Sequence, residues 1–265
     1  MQNAVHRWNP ADYARHSKGQ ERWAKELFRL LALQPQESVL DIGCGDGRIS
    51  ADIARMVPAG NVIAVDLSRE MIDHARKHYP VAKFPNLKFQ QVDASALAFV
   101  SEFDVVFSSA VLHWVKDQKS VLQGIARSLR TGGRCVLQMG GKGNGVDITN
   151  AFHASFHDPH WCAQAPADLP FAFCGDDEYR GWLLEAGLVP DSVGLIQKDM
   201  VHASRETFIG WLRTTWWPYS AVVPESLRDE FLESVAERYI QDHPMDEGNR
   251  VHVRMVRLQV LAHKR

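Results

Sequence analysis

Three glycines in five residues, Gly43, Gly45 and Gly47, follow the run Ser38–Ile42, whose one charged member is Asp41. The run reads as a buried β-strand. The segment after it, "GRISADIARMV", carries Ile49, Ile53 and Val57 at helical spacing. A glycine-dense turn between a strand and a helix leaves backbone N–H groups and open space at the strand's carboxyl end. That confines the chain to a narrow set of α/β folds and places a ligand at the turn.

The following chain keeps the alternation. "NVIAVDLS" reads as a strand, and "SREMIDHARKHY" as a helix with Ser68 as N-cap. "NLKFQQVDA" is a third strand. "FDVVFSSAVLHWV" holds a fourth, with Val105–Phe107 buried on both faces. "SVLQGIARSLRTGG" predicts an amphipathic helix through Val121, Ile125 and Leu129, stopped by glycines, and "RCVLQMG" is a fifth strand. Strand–helix alternation predicts a doubly wound, mostly parallel sheet. Beyond residue 141 the pattern loosens. "GGKGNGVDITN" reads as a loop and "DDEYRGWLLEAGL" as a helix, with Asp176 its candidate cap. "SVGLIQKDMVHA" and "RVHVRMVRLQVLAHKR" can supply two further strands. Between them, "SRETFIGWLRTTWWPYS" and "PESLRDEFLESVAERYIQDH" are each read as a helix, so residues 203–250 are expected to form a helical cap over the ligand end of the sheet. The expected architecture is one 265-residue domain, Rossmann-like and seven-stranded, with a helical arm at 1–35 and a ligand-binding core at 36–140.

Composition excludes several functions. A net charge of −2 gives no footprint for a nucleic acid partner. No run of 18 apolar residues predicts a membrane span, and the first residues lack a signal-peptide core. Four irregularly spaced cysteines read as reduced thiols, so a cytoplasmic protein is expected. A monomer is expected too.

The glycines do not fit a dinucleotide fingerprint. Gly47 comes one residue early for G-x-G-x-x-G, and Asp46 would oppose a pyrophosphate. Asp41 and Asp46 favour a ligand that is cationic near the turn. The stretch resembles the first motif of class I S-adenosylmethionine-dependent methyltransferases. The resemblance extends through Asp66, 25 residues on (66 − 41), through Asp93 and through "LRTGG". It implies S-adenosylmethionine as cofactor, with Asp66 at the ribose hydroxyls and Asp93 near the adenine amino group. It also brings Tyr13, Asp41, Gly43 and Gly45 to that site, with Leu67, Met71, Ala94 and Ser109 beside them. Within the superfamily, "WNPADYARHSKGQERWAKELF", "SSAVLHWVKDQ" and "FIGWLRTTWWPYS" most resemble the trans-aconitate methyltransferase-like group, with juvenile-hormone-acid methyltransferases as relatives.

That resemblance implies O-methylation of a small organic acid by in-line displacement. The alternatives are an N- or hydroxyl-directed small-molecule methyltransferase, and a protein that binds the cofactor without turnover. His113 is expected as a polar anchor at the site, since a carboxylate acceptor needs no base. Arg213 is expected to bind the anionic acceptor, sharing a helix face with Trp217. Trp114, Trp216, Trp217 and Tyr219 are the expected pocket walls. His153, His157, His160 and Cys162 lie close in sequence, but no acid completes an H-E-x-x-H motif and Pro159 interrupts the run, so no metal is expected.

Overall fold

The computed structural model describes residues 18–161, 165–166 and 169–265. Its centre is a seven-stranded sheet: β1 (Ser38–Ile42), β2 (Asn61–Asp66), β3 (Leu87–Gln91), β4 (Phe103–Ser109), β5 (Leu129–Gly140), β6 (Leu188–His202) and β7 (Val251–Lys264). The spatial order is β3-β2-β1-β4-β5-β7-β6. The first five strands pair in parallel. β7 inserts between β5 and β6 and runs antiparallel to both.

Period-two alternation distributes the strand side chains between two cores. Val39, Val105, Phe107 and Val136 point to one face. There they meet the helices Phe28–Leu31 (α2), Arg48–Met56 (α3) and Arg69–His78 (α4) through Leu31, Ile53 and Ile72. Leu40, Ile42, Val106 and Leu137 point to the other, against Gln118–Ser128 (α5) and Asp176–Glu185 (α7). Both faces are thus covered, as a parallel sheet requires. Before α2 comes Lys18–Glu26 (α1), and between β5 and α7 lies Val146–Phe156 (α6).

Residues between His202 and Val251 form the helices Arg205–Thr215 (α8), Trp217–Ser220 (α9) and Arg228–Asp242 (α10). Phe208, Trp211, Trp216, Phe231 and Tyr239 make their own core against α6 and β7.

Three elements differ from the sequence reading. The helix before "RTGG" stops at Ser128, and β5 already begins at Leu129, which pairs with Phe103; Gly132 at φ +79° accommodates the irregular start. The segment read as loop contains α6. Its buried positions, Ile148, Ala151, Phe152 and Ser155, fit one helix face, but the glycines before it hid the start. The cap segment "SRETFIGWLRTTWWPYS" is two helices. Pro218 has no N–H to continue the ladder, and Trp216 turns to φ −108°, ψ 22° between them.

Candidate active site

The carboxyl ends of β1, β2 and β3 assemble the first wall. Gly43 and Cys44 both donate their N–H groups to Val65 O, at 2.7 and 3.0 Å, so the turn folds back over β2. Gly43 sits at φ +77°, where a Cβ would overlap the Val111 side chain. Gly45, at φ +54°, has nothing within 4 Å of such a Cβ, so it faces open space. Asp66 accepts from Gly45 N–H on one oxygen and from Ser68 N–H on the other, each at 2.9 Å. Burial pushes its carboxyl up, and those two hydrogen bonds oppose the shift. Asp93 caps a short turn, accepting from Ser95 N–H and Ser95 Oγ on one oxygen, both at 2.8 Å.

These residues line a cavity of 390 Å³ beneath the cap. Gly43, Gly45, Asp66, Leu67, Met71, Asp93 and Ala94 lie on its wall, and so do His113, Trp114, Trp216 and Trp217. Asp41 and Ser109 do not. They line a smaller space of 70 Å³ on the far side of the glycine turn, shared with Gly43 and Gly45. Asp41 is 2% exposed and accepts from Ser50 Oγ at 2.6 Å; burial pushes its carboxyl up to about 7, against the pull of that hydrogen bond. Asp46 does not act as an open charge at the turn. Arg48 Nε binds its carboxylate at 2.8 Å and Arg48 also reaches Glu21 of α1. Tyr13 lies outside the described residues.

The second wall rises from β4, β5 and the cap. His113 is 6% exposed and its Nδ1 accepts from Gly140 N–H at 3.2 Å. Burial, and secondarily the Arg257 charge, lower its pKa to about 3. The ring is therefore neutral at physiological pH, and with Nδ1 accepting, its proton sits on Nε2. It can donate a hydrogen bond into the cavity but is not placed as a base. Trp114 and Trp217 are nearly parallel, 8° apart with centroids at 6.4 Å. Phe171 stacks on Phe173 at 5.3 Å and meets Trp216 edge-on. Both phenylalanines line the cavity and were missed in the sequence, because they follow no periodic element.

Two expected pocket residues lie elsewhere. Arg213 is exposed and does not line the cavity. Its placement beside Trp217 assumed one continuous helix, and α8 ends before Trp217. Tyr219 is 1% exposed, stacked on Phe152 at 4.5 Å within the cap core. The cation on the wall is Arg257 of β7, 4% exposed, with its guanidinium 4.4 Å from the Trp23 ring centroid. A signal for it existed: Val251, Val253 and Met255 alternate inward, and Arg257 continues that phase.

The histidine-rich stretch separates into individual contacts. His153 and His157 are exposed on and after α6, and His157 Nδ1 lies 2.9 Å from His153 O. His160 Nε2 lies 3.2 Å from Glu230. Cys162 lies outside the described residues. Among the described residues, no three His, Cys, Asp or Glu side chains converge on one point, and no helix is long and apolar enough to cross a membrane.

Comparison with known proteins agrees with this geometry. Residues 33–185 match the family model described as a methyltransferase domain. An uncharacterised methyltransferase of Schizosaccharomyces pombe is 31% identical over 68% of this chain and 70% of its own length. The trans-aconitate 2-methyltransferases of Methylobacterium nodulans and Escherichia coli are each 26% identical over 97% of this chain and 98% of theirs. Among solved structures, the YcgJ protein of Bacillus subtilis superposes with a TM-score of 0.65 at 17% identity, covering 92% of this chain and 99% of that one. Geranyl diphosphate methyltransferase in complex with S-adenosylmethionine gives 0.55 at 18%, covering 92% and 85%. With the glycine turn, the strand-end acids and the capped cavity in their places, the chain belongs to the methyltransferase-domain family, as a class I S-adenosylmethionine-dependent methyltransferase similar to the trans-aconitate methyltransferase-like group.

Proposed function

We propose that the protein methylates a carboxylate oxygen of a small organic acid. The observation that carries this reading is Arg257, a buried cation in a largely aromatic wall, opposite the acids at the strand ends. A carboxylate entering such a cavity loses its water, and a guanidinium offsets that cost with a planar, bidentate fork. The named substrate of the trans-aconitate relatives, an organic acid, supports the same reading.

The residues fit the cofactor. Each Asp66 oxygen accepts one backbone N–H and keeps capacity for another donor, which suits the vicinal hydroxyls of a ribose. Asp93 keeps its second oxygen for an amino donor. The open face of Gly45 lets a ligand approach the backbone. When bound, S-adenosylmethionine supplies an electrophilic methyl on a sulfonium centre. Trp114 and Trp217 offer faces suited to a neighbouring positive charge. The walls of the cavity would present the acceptor oxygen to that methyl. No proton has to leave, because the acid is ionised near neutral pH. The chain's part is alignment and exclusion of water, a contribution on the order of 7–11 kcal/mol.

An amine or hydroxyl acceptor would need a base. His113, with Nδ1 engaged and its pKa near 3, is poorly suited to supply one. The test is a product assay with methyl-labelled cofactor across organic acids, amines and phenols, which should yield a methyl ester. Arg257→Gln should raise the acceptor KM at least tenfold, about 1.4 kcal/mol, with unchanged cofactor affinity. Asp66→Asn should do the reverse, weakening cofactor binding by calorimetry. N-methyl or ether products in place of esters would overturn the reading.

A further inference from the structure

We infer that Trp23 is a positioning residue for the acceptor: its indole face holds the Arg257 guanidinium in the plane in which a carboxylate meets it. The inference rests on the carboxylate reading above and adds to that site a residue from the other end of the chain. Arg257 is 4% exposed and keeps its charge in an aromatic surround. Its guanidinium carbon lies over the Trp23 ring, 4.4 Å from the centroid, and Trp23 is itself 2% exposed. The negative face of an indole attracts a cation more strongly than a phenyl ring does, and more so when both are dry. A guanidinium stacked on a ring turns its flat face to that ring. Its N–H groups then radiate at the edge, where they meet the two oxygens of a carboxylate together.

A positioning residue needs a fixed place of its own, and α1 is held on two sides. On the side of the glycine turn, Glu21 accepts from Arg48 Nη1 at 2.8 Å, Lys25 lies 3.4 Å from Asp52 of α3, and Ala24 shares a core with Ile53. On the side of β6, Glu26 pairs with Lys198. A Cβ on Gly19 would meet Met200 Sδ at 2.3 Å, so helix and strand approach closely there. Trp23 shares its core with Met200, Val253 and Met255, and Arg257 continues the inward phase of the last two. α1 thus reaches from the glycine turn to the strand that carries the acceptor's cation. Glu21 and Ala24 are its residues that border the turn, so a change at Trp23 should spare the cofactor.

The test separates the ring from its bulk. Trp23→Met keeps apolar volume without a ring, and Trp23→Phe keeps a weaker aromatic face. Turnover is followed with methyl-labelled cofactor, using the fastest acid among acetate, benzoate, malonate, fumarate and trans-aconitate. Trp23→Met should raise the acceptor KM at least fivefold with kcat within twofold, and Trp23→Phe should raise it two- to threefold. Calorimetric affinity for S-adenosylhomocysteine should stay within twofold of wild type in both, which a general loosening of the fold would not leave intact. In an Arg257→Gln background, Trp23→Met should have no further effect on KM. A second readout needs no acceptor. The Arg257 Nε–H resonance of isotope-labelled protein, identified by its loss in Arg257→Gln, should be shifted upfield by the ring in the wild type and should move downfield in Trp23→Met. If Trp23→Met does not fold, Trp23→Phe decides by the same two readouts. An unchanged KM or an unmoved resonance overturns the positioning role and leaves carboxyl methylation standing. Esters from none of the acids, or a wild-type KM in Arg257→Gln, overturn both.

Discussion

Asp41 illustrates how much a single buried acid can reveal at the scale of one residue. It lies under the glycine turn with Ser50 Oγ at 2.6 Å, and burial pushes its carboxyl up to about 7. In the unfolded chain it loses its proton near pH 4. Between pH 4 and 7 the folded protein therefore holds a proton that the unfolded chain has lost, so folding stability falls as pH rises through that window. Asp41→Asn removes the titration and keeps an acceptor for Ser50. Denaturant unfolding at pH 4 and pH 8 should show the variant gaining on the wild type across that range, by roughly 4 kcal/mol as an upper bound. A constant difference between the two proteins would mean that Asp41 is ionised throughout. The sequence reading gave Arg213 the place beside the cavity and gave Arg257 no role, yet Arg257 is the one on the wall. An arginine in an aromatic helical segment looked like an anchor, and Arg213 is exposed instead. Arg257 sits where strand alternation continues inward, a weaker cue in the sequence than an aromatic cluster.

The glycine turn separates structural from functional need at the scale of one element. Gly43 and Gly45 both take left-handed φ values, but their surroundings differ. A side chain at Gly43 meets Val111, and one at Gly45 meets nothing within 4 Å. Gly43→Ala should combine the left-handed strain of about 1–2 kcal/mol with an overpacking cost of about 1–3 kcal/mol. Thermal unfolding should show a clear drop in Tm, and Val111→Ala in the same chain should restore only the overpacking share. Gly45→Ala should lower Tm by the strain alone and weaken cofactor binding more than Gly43→Ala/Val111→Ala does. Equal Tm losses for the two single variants would contradict the difference in packing. The N-caps are equally local but not equally legible: Ser68 accepts from Met71 N–H as the sequence suggested, whereas Asp176 is the first residue inside α7 and Gly175 holds the cap position. The break between α8 and α9 was less so, because the aromatic run continued across Pro218 while the backbone turned.

Across the whole molecule, the cap must be held to a sheet whose last two strands run outward to it. His252 at the start of β7 joins three parts: its Nδ1 lies 2.7 Å from Asp199 of β6, and its Nε2 lies 3.1 Å from Asp246 in the loop after α10. Asp246 also binds Arg250. The two carboxylates raise the His252 pKa above its ordinary value, the hydrogen bond to Asp199 being the larger cause. A raised histidine stabilises the fold fully below about pH 6.5 and loses that contribution as pH rises through its folded value. Amide exchange in residues 243–250, corrected for intrinsic rates, should therefore show less protection at pH 9 than at pH 6, and His252→Gln should remove the difference. Protection that is the same at both pH values in the wild type would rule out the clasp. The same long-range pairing explains what could be read in advance. The sequence by itself determined the alternation of the first five strands with their helices, the glycine turn and the acids at strand ends. Those features are local: a residue that ends a parallel strand lies at the ligand edge whatever else the chain does. Only the tertiary structure decided which groups face those acids. β7 lies antiparallel between β5 and β6, and that placement sets Arg257 beside Gly140 and His113. The cap folds on its own aromatic core, which takes Tyr219 out of the cavity and leaves Trp114, Trp216 and Trp217 on its wall. Such contacts join segments distant in sequence, and they are fixed by how the two cores pack against each other, which no local spacing encodes.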